Sequence, residues 1–157
     1  MLQGRKRNRL EFYDYSTENL YFVTSCVLGG EHWLGEVVNG EMQLNSFGKI
    51  AEEHFSWLAN QCSFLEIHAY VVMPNHVHAI LELTGSESGK APLSVSQVMA
   101  AYKTLTSKKI RLAGLPEFAW KRSFHDHIIR NERGYWNIFN YIRNNPAQWQ
   151  QDKFNKV

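Results

Sequence analysis

The sequence predicts an α+β fold, a ferredoxin-like plate in which a central antiparallel sheet carries helices packed mainly on one face. Three observations lead there: strand-like apolar runs at 20–28, 64–73 and 77–83, segments of helical period near 46–62, 94–111 and 132–144, and Gly, Pro or Asn breaks between them. At 157 residues, 44% hydrophobic and 20% charged, the chain reads as one domain, 1–157, with a basic N-terminal arm over 1–10.

Taken in order, residues 20–28 (LYFVTSCVL) are apolar and β-branched, as a central strand requires. Residues 34–44 read as a hairpin around Asn39-Gly40, a dipeptide suited to a type I′ turn. Asn45 or Ser46 can cap a helix running to about Cys62, with Phe47, Ile50, His54, Trp57 and Leu58 near helical spacing. Two strands, 64–73 and 77–83, flank the turn Met73-Pro74-Asn75 and form a central antiparallel hairpin. Residues 84–92 (TGSESGKAP) are a polar linker inside the domain. Ser94 caps a second helix with Val98, Ala101, Leu105 and Ile110 toward the core. Residues 112–122 contain Gly114 and Pro116 and should be irregular, and 123–130 (SFHDHIIR) alternates as a further strand. The last helix runs from about Glu132 to Asn144, where Pro146 should pull Asn145 out of helical geometry.

No apolar run approaches membrane-span length and the N-terminus lacks a signal-peptide core, so a cytoplasmic protein without membrane partners is expected. Cys26 and Cys62 have neither disulfide-framework nor zinc-ligand spacing and read as reduced core residues. Net charge is only +2, yet residues 91–157 hold 11 Lys/Arg against 4 Asp/Glu while 10–90 hold 2 against 11. Such asymmetry suits a phosphate-bearing partner on one side of the molecule; an ordinary solvated surface is equally compatible. The arm residues Arg5, Lys6, Arg7 and Arg9, together with Lys103, Arg130 and Arg143, are candidate phosphate contacts.

The chemistry is concentrated in Val71-Val72-Met73-Pro74-Asn75-His76-Val77-His78. Side chains at i and i+2 of a strand share a face, so His76 and His78 can converge on one ion. By spacing alone such a pair is more often a solvated strand face, or core imidazoles satisfied by backbone, than a ligand pair. In the last helix Tyr141 and Asn145 lie four residues apart on one face; taken alone, the first is an aromatic anchor and the second a helix cap.

Three blocks in order, Tyr70 to Ile80, Phe124 to Arg130 and Tyr141-Ile142-Arg143-Asn144-Asn145-Pro146, resemble the REP-associated tyrosine transposases, within the HUH single-tyrosine nucleases that include insertion-sequence transposases. The resemblance runs from Tyr13 to Lys153. It implies that His76, His78 and Asn145 bind a divalent ion, and that Tyr141 attacks a phosphodiester in single-stranded DNA to form a 5′-phosphotyrosine. Imidazole ligands alone would suit zinc, nickel, copper or iron; magnesium or manganese is what the resemblance implies. The implied function is an endonuclease and strand transferase at hairpin-flanked sites, with DNA carrying imperfect, REP-like hairpins as partner. A catalytically silent hairpin-binding protein of the same fold is the alternative, and a homodimer and a monomer both stay open. Tyr102 and Tyr135 lack a ligand-type residue four positions on and read as packing or DNA contacts. His127 is a candidate supporting residue of the active site, with a plain strand-face residue as the competing reading. Because the chain ends soon after Trp149 and Phe154, little tail should remain to cover the site.

Overall fold

The computed structural model describes residues 19–84 and 93–155. The basic arm, the block at Tyr13 and residues 85–92 of the expected linker therefore lie outside the described residues. In chain order the elements are β1 (Leu20–Cys26), β2 (Gly35–Val38), β3 (Glu41–Leu44), α1 (Ser46–Gln61), β4 (Leu65–Met73), β5 (His76–Leu83), α2 (Val95–Leu112), β6 (His125–Ile128) and α3 (Glu132–Asn144). The main sheet has the order β4-β5-β1-β6, and each neighbouring pair is antiparallel. With β2 and β3 set aside as a separate hairpin, this is the β-α-β-β-α-β order of the ferredoxin-like plate. Among the described residues no helix is long and apolar enough to cross a membrane.

Local signals set most boundaries. Asn39 (φ 54°) and Gly40 (φ 77°) both occupy the left-handed region, as the type I′ turn between β2 and β3 demands. Asn45 caps α1 by accepting from Gly48 N, and Ser94 caps α2 in a reciprocal box with Gln97. Gly48 has a further reason to lack a side chain, since a Cβ there would collide with the Leu34 carbonyl oxygen.

α1 and α2 share one face of the sheet over the main core, where Phe55 and Tyr102 stack with ring centroids 4.4 Å apart and Tyr102 Oη donates to Ala51 O at 2.8 Å. Tyr102 is thus a packing residue. The buried stripe of α2 runs through Val95, Val98, Met99, Tyr102, Thr106 and Ile110, rotated from the expected one, with Ala101 and Leu105 only half-buried. Polar Thr106 can lie inside because its hydroxyl donates to Tyr102 O and accepts from Trp120 Nε1.

α3 packs on the other face through Tyr135, Phe139 and Ile142, in a second core with Leu20, Ile80 and Ile129. Every residue of β5 is consequently buried: Val77, Ala79, Leu81 and Leu83 face the α1/α2 core, and His76, His78, Ile80 and Glu82 face the side under α3. Contrary to expectation, Asn145 keeps helical dihedrals (φ −56°, ψ −46°) in front of Pro146. The turn continues through Gln148 N, which donates to the Asn144 and Asn145 carbonyls, and this keeps Asn145 on the face of Tyr141.

Candidate active site

β5 presents His76 and His78 toward α3 with ring centroids 4.6 Å apart. Asn75 Nδ2 donates to Phe154 O at 2.7 Å and to Gly30 O at 3.3 Å, which turns its Oδ1 toward His76 Nδ1 at 2.8 Å. An amide oxygen only accepts, so Nδ1 carries the proton and Nε2 is left with a bare lone pair. His78 Nδ1 meets Thr24 Oγ1 on β1 at 2.7 Å; a hydroxyl both donates and accepts, so this contact fixes the ring's orientation and not its tautomer. Both Nε2 atoms are buried without a hydrogen-bond partner, as are both amide atoms of Asn145, which is 1% exposed. Among the described residues these four atoms and Ser25 Oγ are the buried side-chain polar atoms lacking a partner. An unpaired buried polar group costs about 1–3 kcal/mol, so a cluster of three such residues calls for a ligand. Two imidazole nitrogens and an amide oxygen form a donor set that fits a divalent cation.

The electrostatics favour ligation. Burial lowers the His76 pKa to about 3, opposed by the nearby Asn145 amide. Burial also holds His78 well below its ordinary value, with the charges of His76 and Lys153 adding to the effect. Both imidazoles are therefore neutral at pH 7, the form that binds metal. Because the unfolded histidines take up protons near pH 6.5 and the folded ones do not, the metal-free protein should be most stable above about pH 6.5. Denaturation in EDTA across a pH series should show stability falling from there toward about pH 3, by up to about 1.4 kcal/mol per pH unit for each histidine.

Tyr141, 40% exposed on α3, lies edge-on to His78 with centroids 5.3 Å apart. Burial raises its pKa, the Asn145 amide opposes this and Asp152 adds to it, so it stays a phenol at neutral pH. Phe22 stacks on His78 at 5.2 Å and meets Tyr141 edge-on at 6.3 Å. Against the expectation of an uncovered site, Phe154 lies over His76 at 4.3 Å and Trp149 stacks on it at 6.1 Å. Asn75 anchors this segment through the Phe154 carbonyl.

One cleft of about 860 Å³ gathers His78, Tyr141, Asn145 and His127. The β1/β6 register places His127 opposite Phe22 and His125 opposite Thr24, so both imidazoles face the cleft. His125 was not singled out in the sequence, although its spacing from His127 repeats that of His76 and His78. Thr24, Asn75 and Phe154 were missed as well; Asn75 was legible only as a turn residue. Arg130 and Arg143 are exposed near β6 and on the last turn of α3, outside the cleft lining. Lys103 is remote from it, on α2. Arg5, Lys6, Arg7 and Arg9 lie outside the described residues.

A second polar cluster sits farther along the same sheet face. Glu66, His68 and Glu82 place one ligand atom each within 4.8 Å of one another, a candidate metal-binding group. Both nitrogens of His68 are already engaged, Nε2 with Glu82 at 2.7 Å and Nδ1 with Tyr135 Oη at 2.9 Å. The cluster thus ties α3 to β4 and β5, and it gives Tyr135 a structural task. Tyr135→Phe removes the partner of a buried imidazole and should cost about 1–3 kcal/mol in denaturant unfolding.

Residues 39–145 match the family described as IS200-like transposase. The chain belongs to the IS200-like transposase family. This IS200-like transposase is 33% identical to an uncharacterized protein of Haemophilus influenzae, over 97% of this chain and 93% of that one. Its fold is similar to that of a REP-associated tyrosine transposase solved bound to a REP hairpin, with TM-score 0.64 and 23% identity over 87% of this chain and 71% of the other. It is also similar to a provisionally assigned transposase of Deinococcus radiodurans, with TM-score 0.55 and 19% identity over 80% of this chain and 88% of the other. The family and fold agree with the resemblance read from the three sequence blocks.

Proposed function

We propose that this transposase is a divalent-metal-dependent endonuclease and strand transferase acting on single-stranded DNA beside hairpins. The observation that carries the reading is the convergence of His76 Nε2, His78 Nε2 and the Asn145 amide, all buried and unpartnered, next to the partly exposed Tyr141. In this reading His76, His78 and Asn145 hold the ion and Tyr141 is the nucleophile. A bound Mg²⁺ or Mn²⁺ supplies Lewis-acid polarisation of the phosphate's non-bridging oxygens. Tyr141 Oη forms a bond to phosphorus as the bond from phosphorus to the 3′ oxygen breaks. The departing strand leaves with a 3′-hydroxyl, and the phenol's proton balances its charge. Attack by a 3′-hydroxyl on the 5′-phosphotyrosine reverses the step and joins strands without external energy.

The neighbouring residues act through position and charge. Asn75 holds the His76 tautomer and Thr24 the orientation of the His78 ring, so that both Nε2 atoms face inward. His127 donates a hydrogen bond to the phosphate from the opposite wall, and Phe22 and Phe154 offer ring faces to unpaired bases. Arg130 and Arg143 contact backbone phosphates, and Arg5, Lys6, Arg7 and Arg9, outside the described residues, add further phosphate contacts.

Incubating the chain with a hairpin-bearing oligonucleotide and Mn²⁺ tests the reading. A covalent adduct should form, and mass spectrometry of its tryptic peptide should find the 5′-phosphate on Tyr141. Binding without an adduct, with either metal, would instead favour a silent hairpin-binding protein.

A further inference from the structure

Lys103, a candidate phosphate contact from the sequence, is committed elsewhere. Its ammonium donates to Lys121 O at 2.6 Å and Arg122 O at 2.8 Å, bracing the segment before β6 against α2. Three more bonds hold that segment: Leu28 N donates to Ala119 O, Lys121 N to Cys26 O, and Trp120 Nε1 to Thr106 Oγ1, at 2.9, 2.7 and 2.9 Å. Arg111 reaches across from α2, its Nε donating to Phe118 O at 2.8 Å.

Between these walls lies a groove of about 470 Å³ that shares no residue with the active-site cleft. Among the described residues Lys103, Lys108, Arg111, Lys121 and Arg122 line it, and no carboxylate does. Holding five cations on braced backbone costs self-repulsion, which a polyanion relieves. Among the described residues the one aromatic side chain in the lining, Trp120, is buried, so they offer no exposed ring on which an unpaired base could stack. The cleft has the opposite character, with Phe22 and Phe154 in its walls. A cationic surface without stacking platforms suits the sugar-phosphate backbone of paired DNA.

We propose that this groove docks the phosphodiester backbone of the hairpin stem, with Lys108, Lys121 and Arg122 as the phosphate contacts and Lys103 as the brace that positions the last two. The proposal rests on the reading of this chain as a DNA-binding transposase. Connectivity supports it: Arg122 is followed three residues later by His125, the first residue of β6, and β6 is the edge strand of the sheet. α2 lies on one face of the sheet and the cleft on the other. A stem held beside α2 can thus pass its unpaired flank around the β6 edge toward His127 and Tyr141.

Lys108, Lys121 and Arg122 are exposed, so the triple variant Lys108→Gln, Lys121→Gln, Arg122→Gln should fold normally. Because backbone contacts are independent of sequence, the probes are a DNA hairpin of arbitrary sequence with a single-stranded flank, and that flank alone. Both are titrated with wild-type and variant protein over a salt series. For the hairpin, the variant should bind roughly tenfold or more weakly near about 0.1 M salt, and its salt slope should shrink by about 0.9 per lost phosphate contact, up to about 2.7. Affinity for the flank alone should not change. Unchanged hairpin affinity and slope would overturn the proposal, and so would an equal loss on the flank alone, which would make the groove a single-strand path. If the wild-type chain forms no covalent adduct while the variant still loses hairpin affinity and slope, the transfer chemistry fails and the groove assignment stands.

Discussion

Tyr141→Phe is expected to abolish the covalent protein–DNA adduct while leaving folding and DNA affinity nearly unchanged. The side chain is 40% exposed and loses only its hydroxyl, so unfolding should shift by no more than about 0.5 kcal/mol. The ring's edge contacts with His78 and Phe22 survive in phenylalanine. What disappears is the oxygen that would bond to phosphorus, and neither Tyr102 nor Tyr135 can replace it, since both are fully buried and bonded to Ala51 O and His68. Adduct yield on a gel and DNA affinity by anisotropy, measured on the same preparations, separate chemistry from binding. An adduct that persists in the variant would remove Tyr141 as nucleophile.

Asn145→Leu should stabilise the metal-free protein while removing its response to divalent ions. In the folded chain both polar atoms of this amide are buried and unpartnered, and leucine fills a similar volume without that penalty. A gain of about 1–2 kcal/mol in EDTA is expected from urea denaturation. The wild-type protein should be stabilised by Mn²⁺ by about 2.7 kcal/mol at a hundredfold excess over Kd. The variant should lose most of that increment, because its side chain offers no oxygen to the ion. Destabilisation in EDTA together with an unchanged Mn²⁺ response would show that Asn145 serves packing and not ligation. The pattern of better folding with lost function is the expected signature of a site that holds unpaired polar groups for a ligand.

Much of the scaffold was legible in local chemistry. The Asn39-Gly40 turn, the caps at Asn45 and Ser94, the paired strands around Pro74-Asn75 and the span of α3 all follow from side chains acting on backbone within a few residues. The rotated stripe of α2 was not legible, because Thr106 is buried only through partners at Tyr102 and Trp120. The helical Asn145 contradicted a sound local rule, since the bonds from Gln148 that hold it belong to the following turn. The covering of His76 by Phe154 depends on Asn75, 79 residues earlier.

The same division runs through the candidate site. Spacing by itself determined that His76 pairs with His78 on a strand and Tyr141 with Asn145 on a helix, because both periodicities are properties of the backbone. Only the tertiary structure decided that α3 lies on the face of the sheet to which those histidines point. That choice depends on which apolar surfaces bury each other, namely Tyr135, Phe139 and Ile142 against Leu20, Ile80 and Ile129, and no local pattern specifies it. Tertiary packing also decided the His76 tautomer, through Asn75, and the His78 ring orientation, through Thr24, and turned Lys103 from a candidate contact into a brace. Residue types and periods are written locally; convergence on one point is a property of the packed chain.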